Sequence, residues 1–319
     1  MGHLILRQFG HGIAAIDAFY HGRPGHSAIH LVEQDGRVAV IDTGTNHSLH
    51  YLLEALETKN LAPENVDYVI VTHVHLDHAG GAGMAMRRFP NARLVVHPRG
   101  ARHMADPGKL IAGTIAVYGE EKTRQVYGEI LPIPAERIVE APDDFTLDLN
   151  GRELRFLDTP GHARHHFCVW DQASRSVFSG DSFGISYREL DSGGKEFVIP
   201  TTTPVQFEPA AAHATIDRLM ALGPGQIYLT HFSRITQLER HAADLHALLD
   251  AHVRIAETAG GTGEERHARL KKALAELFAG HLAAAGCHAG REVILDILAP
   301  DIELNAQGLG VWLDQRNKG

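Results

Sequence analysis

The amino-acid sequence predicts an α/β protein made of two strand-rich halves, each carrying helices, followed by a helical tail. Three observations lead there. Short apolar runs split by Gly, Pro and Asp-Gly signals fill the first forty-odd residues. Buried-type runs then recur between helical patterns as far as residue 229. From about Gln237 the chain becomes Ala-, Leu-, His- and Glu-rich with helical periodicity. The expected division is a catalytic domain over residues 1–235 and a helical extension over residues 236–319.

Taken in order, residues 5–9, 13–19, 27–32 and 38–41 read as strands, with Glu33-Gln-Asp-Gly36 as a hairpin turn. Residues 48–58 form an amphipathic helix, 66–71 a buried strand, 82–89 a helix and 93–96 another buried strand. Met84, Met86 and Phe89 are spaced to pack that helix on the sheet. Residues 98–128 read as mainly helical. The second half supplies strands at 145–149, 153–158, 167–170 and 176–178, then a helix at 209–222 and a strand at 226–229. A Gly/Thr cluster at 259–263 splits the tail helices. Residues 294–302 and 311–313 are apolar enough to pack on their own chain or on a neighbour, so a homodimer through the tail is one expectation.

Composition excludes several classes. Apolar residues make up 44% of the 319, enough for a sizeable core. No run approaches the roughly 18 apolar residues of a membrane span, and the first ten residues carry no secretory pattern. A net charge of −9 without a Lys/Arg-rich run argues against nucleic acid as a partner. Two cysteines, Cys168 and Cys287, build neither a disulfide framework nor a thiolate zinc site, which favours buried thiols and a cytoplasmic setting. The 23 histidines raise the expectation of a metal site.

That expectation becomes local at Thr72-His-Val-His-Leu-Asp-His-Ala-Gly-Gly81, where a buried strand ends and a helix follows. Alternate residues of an extended segment point the same way, so His73 and His75 can share one metal while Asp77 and His78 turn toward a second. Nitrogen and carboxylate ligands suit zinc or another borderline divalent ion, with iron and manganese also able to use them. Three later elements each follow a buried strand: Thr159-Pro-Gly-His162, Ser179-Gly-Asp181 and Leu229-Thr-His231. Strand ends are where α/β proteins gather site residues.

With Asp42 added, these motifs resemble, in order, those of the metallo-β-lactamase superfamily, over roughly residues 1–235. The resemblance implies a four-layer αββα sandwich with two metals at one edge. It implies that His73, His75 and His162 bind the first metal, that Asp77, His78 and His231 bind the second, and that Asp181 bridges them. Asp42 would order the histidine loop, or else simply end a strand. The implied chemistry is hydrolysis of a small-molecule ester, thioester or lactone by a metal-bridging hydroxide, with Asp77 as an alternative proton shuttle.

No motif holds the cysteine ligand common in β-lactamases proper, and no flavodoxin-like domain accompanies His75. A mono-iron persulfide dioxygenase of the same fold, or a non-catalytic metal-binding member, are the alternatives. Lactonases of the family carry a tyrosine shortly after the bridging aspartate. Here Tyr187 lies a little further on, as an oxyanion donor or as a structural residue. Strand alternation allows at most one of His165 and His166 to face the pocket. The tail histidines His241, His246 and His252 are expected at the surface or an interface.

Overall fold

The computed structural model describes residues 3–203 and 205–317. Its first sheet has seven strands whose spatial order follows the chain: β1 (Leu6–Gly10), β2 (Ile13–Asp17), β3 (Ala28–Gln34), β4 (Arg37–Ile41), β5 (Val66–Ile70), β6 (Arg93–Val96) and β7 (Ile138–Glu140). The β3–β4 hairpin pairs Gln34 with Arg37, so Asp35 and Gly36 alone make the turn, and both have positive φ (46° and 78°). Both central residues of a type I′ turn need that conformation. From β4 to β7 the pairing is parallel, and helices fill the crossovers. These are α1 (Leu49–Thr58), α2 (Leu76–Ala79), α3 (Ala82–Arg88), α4 (Pro98–Ala105), α5 (Gly108–Tyr118) and α6 (Glu120–Tyr127).

The second sheet comprises β8 (Thr146–Leu149), β9 (Arg152–Asp158), β10 (Phe167–Asp171), β11 (Ser176–Gly180), β12 (Gln226–Leu229) and β13 (Ser233–Ile235), again neighbouring in chain order. Only β11 and β12 pair in parallel, across the crossover helix α7 (Pro209–Ala221). The tail forms α8 (Leu238–Thr258), α9 (Gly263–Ala284), α10 (Arg291–Ile297) and α11 (Ala299–Arg316).

Three apolar cores define four layers. Ile41, Ile70 and Val95 of the first sheet meet Phe156, Phe167, Phe178 and Tyr228 of the second in the inter-sheet core. Leu52, Leu56, Met86 and Phe89 cover the outer face of the first sheet. Leu245, Leu249, Leu274, Phe278, Leu309 and Leu313 cover the outer face of the second. This is the αββα sandwich expected, with the helical extension fused to its second outer layer. The apolar residues at 294–302 and 311–313 therefore pack on their own chain. Among the described residues no helix is long and apolar enough to cross a membrane.

Several details depart from the sequence reading. The short edge strands β7 and β13 were not foreseen, because three residues carry too little periodicity to register. His241 and His252 are buried, not superficial: His241 Nε2 meets Glu196 at 3.1 Å, and His252 Nδ1 donates to the Leu248 carbonyl at 2.7 Å beside Phe278. His246 stacks on His213 where α7 and α8 meet. Cys168 is fully buried, whereas Cys287 is only partly so.

Candidate metal centre

Every expected ligand lies just beyond the C-terminal end of a strand, and those ends converge at one edge of the sandwich. The loop after β5 supplies His73, His75, Asp77 and His78, with α2 turning the last two inward. His162 follows β9, Asp181 follows β11 directly and His231 follows β12. Gly180 shows why the turn into Asp181 is tight. Its φ is +50°, and a Cβ there would sit 2.6 Å from His166 Nε2 and 2.7 Å from Thr72 Oγ1.

The ligating atoms form a His73–His75–His162 group and an Asp77–His78–His231 group, with Asp181 between them in a third that takes His73 from one and His78 from the other. In the first, His75 Nδ1 lies 2.8 Å from His73 Nε2 and 3.1 Å from His162 Nε2, and Asp181 Oδ2 is 3.6 Å from His162 Nε2. In the second, Asp77 Oδ2 lies 3.2 Å from His231 Nε2 and 3.6 Å from His78 Nε2. Asp181 Oδ1 completes it, 3.3 Å from His78 Nε2 and 3.8 Å from His231 Nε2. The two oxygens of Asp181 thus face different groups, the disposition a bridging carboxylate requires.

Tautomers show what these groups suit. His78 Nδ1 donates to Asp42 Oδ2 (2.8 Å), His231 Nδ1 to the His26 carbonyl (2.5 Å) and His162 Nδ1 to the Thr201 carbonyl (3.3 Å). Thr72 Oγ1, whose own proton goes to Asp42, accepts from His73 Nδ1 at 3.2 Å. Each of these rings therefore commits its Nδ1 outward and turns its Nε2 inward, toward the other ligating atoms. Buried His78 Nε2 and Asp181 Oδ1, 3.3 Å apart, have no well-formed hydrogen bond among the described residues. Outward N–H donors behind inward-facing nitrogens are a usual feature of metal sites, and a bound cation would take the place of the protons that Asp181 and Asp77 draw onto His78 and His231. The residues fit divalent metal.

Electrostatics divide the groups. Burial, reinforced by the neighbouring imidazoles, holds His73 and His75 well below the ordinary histidine pKa, and burial lowers His162 as well. These are neutral ligands. Burial also opposes charge on His78, but Asp181, Asp77 and Asp42 outweigh it and hold that histidine well above its usual value.

Asp42 anchors the loop from beneath, fully buried with φ 56°. It accepts from the Thr72 amide at 2.8 Å, the Thr230 hydroxyl at 2.6 Å and His78. One carboxylate thus ties the end of β5 to the end of β12. His166, set aside by strand alternation, lies beneath the bridge: its Nε2 accepts from the Asp181 amide at 3.2 Å, and Nδ1 lies within 3.0 Å of Thr159 and Ser182 hydroxyls. His165 sits higher, partly exposed, its ring 5.5 Å from that of His75. Both adjoin the centre because the chain leaves extended geometry before β10 begins.

Tyr187 is buried, stacked on His26 at 4.7 Å, and its hydroxyl donates to Asp301 of α11, 3.1 Å from each oxygen. Asp301 is a site residue that sequence reasoning missed, since nothing in its helical surroundings sets it apart. Tyr20 and Tyr127, hydrogen-bonded at 2.9 Å, flank the second group, Tyr20 lying 6.4 Å from the His231 ring.

Comparison with known proteins agrees with this geometry. Residues 22–256 match the profile of the metallo-beta-lactamase superfamily. The hydroxyacylglutathione hydrolase of Aeromonas hydrophila is 25% identical over 212 residues, covering 66% of this chain and 63% of that protein. The human acyl-coenzyme A thioesterase MBLAC2 is 27% identical over 190 residues, covering 55% and 64%. The chain thus spans slightly less than two thirds of either relative. The crystal structure of an archaeal superfamily protein from Sulfolobus tokodaii superposes with a TM-score of 0.63 at 22% identity, over 94% of this chain and 98% of that one. With three quarters of its length matching the profile and its sandwich matching the fold, the chain belongs to the metallo-beta-lactamase superfamily.

Proposed function

We propose that this protein is a hydrolase that uses two divalent metal ions, zinc foremost, to cleave an ester, thioester or lactone of a small molecule. The observation that carries the reading is the convergence of seven inward-facing ligating side chains: His73, His75 and His162 in one group, Asp77, His78 and His231 in another, and Asp181 within reach of both. The hydrolase and thioesterase named among the relatives support acyl transfer to water. Two bound divalent ions would supply an acidified water and a Lewis acid for the acyl oxygen.

The chain's own residues have separate parts. His73, His75 and His162 would hold the first ion, Asp77, His78 and His231 the second, and Asp181 would span both. Asp77 is partly exposed, and its carboxyl is held below the usual range: burial acts against ionisation but His78 and His231 outweigh it. An ionised carboxylate at the solvent side can accept a proton from the attacking water and return it to the leaving group. Tyr187 is the candidate oxyanion donor from the sequence; in the structure its buried hydroxyl is taken by Asp301.

The test is metal analysis joined to a substrate panel. About two zinc-like ions per chain, with hydrolysis of at least one ester, thioester or lactone abolished by Asp181→Ala, is the expected result. One iron per chain with oxygen uptake on a persulfide would replace this reading with a dioxygenase. A fully metallated protein that leaves the whole panel intact would leave a binding protein.

A further inference from the structure

The two late histidines of the centre are held differently from the early loop. His162 and His231 each sit alone after a strand, so no neighbouring ligand fixes them. Their outward nitrogens reach the Thr201 and His26 carbonyls, and both of those groups lead to α11.

On the His162 side, Asn305 is buried, and its Oδ1 accepts from both the Thr202 amide and the Thr202 hydroxyl at 2.7 Å. Its Nδ2 donates to the Asp301 carbonyl at 2.8 Å, one turn back. Asn305 therefore fixes the peptide beside the Thr201 carbonyl that receives His162. On the His231 side, Asp301 takes the Tyr187 hydroxyl, and the Tyr187 ring stacks on His26, whose carbonyl receives His231 Nδ1. The adjoining Ser186 amide donates to the His231 carbonyl at 2.5 Å. Ring and main chain of His231 thus rest on a segment that Asp301 pins.

Building on the two-ion reading, we propose that α11 is part of the metal centre: Asn305 positions His162 for the first ion and Asp301 positions His231 for the second. Both are positioning residues, acting through groups that touch a ligand. Removing partners of this kind typically weakens metal binding about 10–100-fold. The tail is then more than a cover over the second sheet; it is the fixed support for the two ligands that stand alone.

The test is stepwise Co2+ titration of the full chain against a competing chelator, followed by visible absorption. His162→Ala and His231→Ala assign the two steps. Asn305→Ala should weaken the first-ion step by about 10-fold or more and shift its bands, with the second step nearly unchanged. Asp301→Ala should do the reverse, and Asp301→Asn, which keeps an acceptor for Tyr187, should restore wild-type binding. Ile302→Ala, which removes core packing from the same helix, is the control: it should lower the melting temperature without moving either step.

The proposal is overturned if both α11 variants bind Co2+ like wild type, if each weakens both steps equally, or if Ile302→Ala weakens binding as much. Wild-type protein that takes up fewer than two ions would instead overturn the two-ion reading beneath it.

Discussion

The sandwich buries a polar cluster at each end, and the two are built on opposite principles. Away from the metal edge, Arg152 at the start of β9 is almost wholly enclosed. Its guanidinium donates to both oxygens of Asp171 and to the His11 and Glu33 carbonyls, so the ion pair ties the second sheet to the β1–β2 turn and to the end of β3. Ser174 donates to Asp171 as well. Every charge there meets its opposite. At the metal edge, imidazole and carboxylate ligating atoms gather in groups whose members lie within 4.8 Å of one another. A closed cluster stabilises one packing arrangement; an open one leaves binding energy for something the chain does not contain.

The largest contrast should appear when each cluster is broken. Arg152→Met strands Asp171 as a buried charge, and losing one partner of such a pair costs about 3–5 kcal/mol. Urea unfolding should show that loss, while metal content per folded chain stays at the wild-type value. If metal content falls in step with stability, the two ends are not independent.

Next in size is metal removal. An ion that binds only the folded chain adds about 2.7 kcal/mol when present at 100 times its Kd. Chelation should therefore lower the wild-type melting temperature by several degrees, and lower that of Arg152→Met by the same amount. A protein whose melting point ignores chelator would not have the open cluster described here.

Asp42→Asn separates anchoring from ligation. The amide retains shape but one face of the former carboxylate now donates, so it cannot accept from His78, Thr72 and Thr230 together. Metal affinity should fall about 10–100-fold, or about 1.4–2.7 kcal/mol, with the ligands themselves intact. Calorimetric metal titration reads this directly.

The same contrast explains what could be read from sequence. The early ligands were legible because four donors crowd six residues at a strand end, a density chance seldom gives. His162, Asp181 and His231 became legible only beside that loop, each being a single residue after a strand. The supporting layer was not legible at all. Asp301 and Asn305 sit on α11 more than sixty residues beyond the last ligand, and their importance comes from which turn of that helix meets the 201–202 segment. His166 was lost for a related reason: alternation was applied to a stretch that is not yet strand. Periodicity reports which face a residue takes along one element, whereas a support between elements depends on how they dock.

The smallest expected effect lies where the tail meets the open cluster. Burial pushes the Asp301 carboxyl up to about 7, with His231 and Tyr187 drawing it down and Asp181 raising it. Between the ordinary aspartate range and about pH 7, the unfolded chain has lost this proton while the folded, metal-free chain keeps it. Raising pH across that window therefore favours unfolding, and above it the slope from this group vanishes because both states are ionised. Asp301→Asn should flatten that part of the melting-temperature profile of metal-free protein by a few degrees at most, since the residue is only half-buried. Loading with metal should flatten the wild-type profile too: cations held by His231 and Asp181 favour the ionised carboxylate and bring its folded pKa back toward the unfolded value. If metal leaves the slope unchanged, Asp301 does not feel the centre, and the tail is linked to it by packing alone.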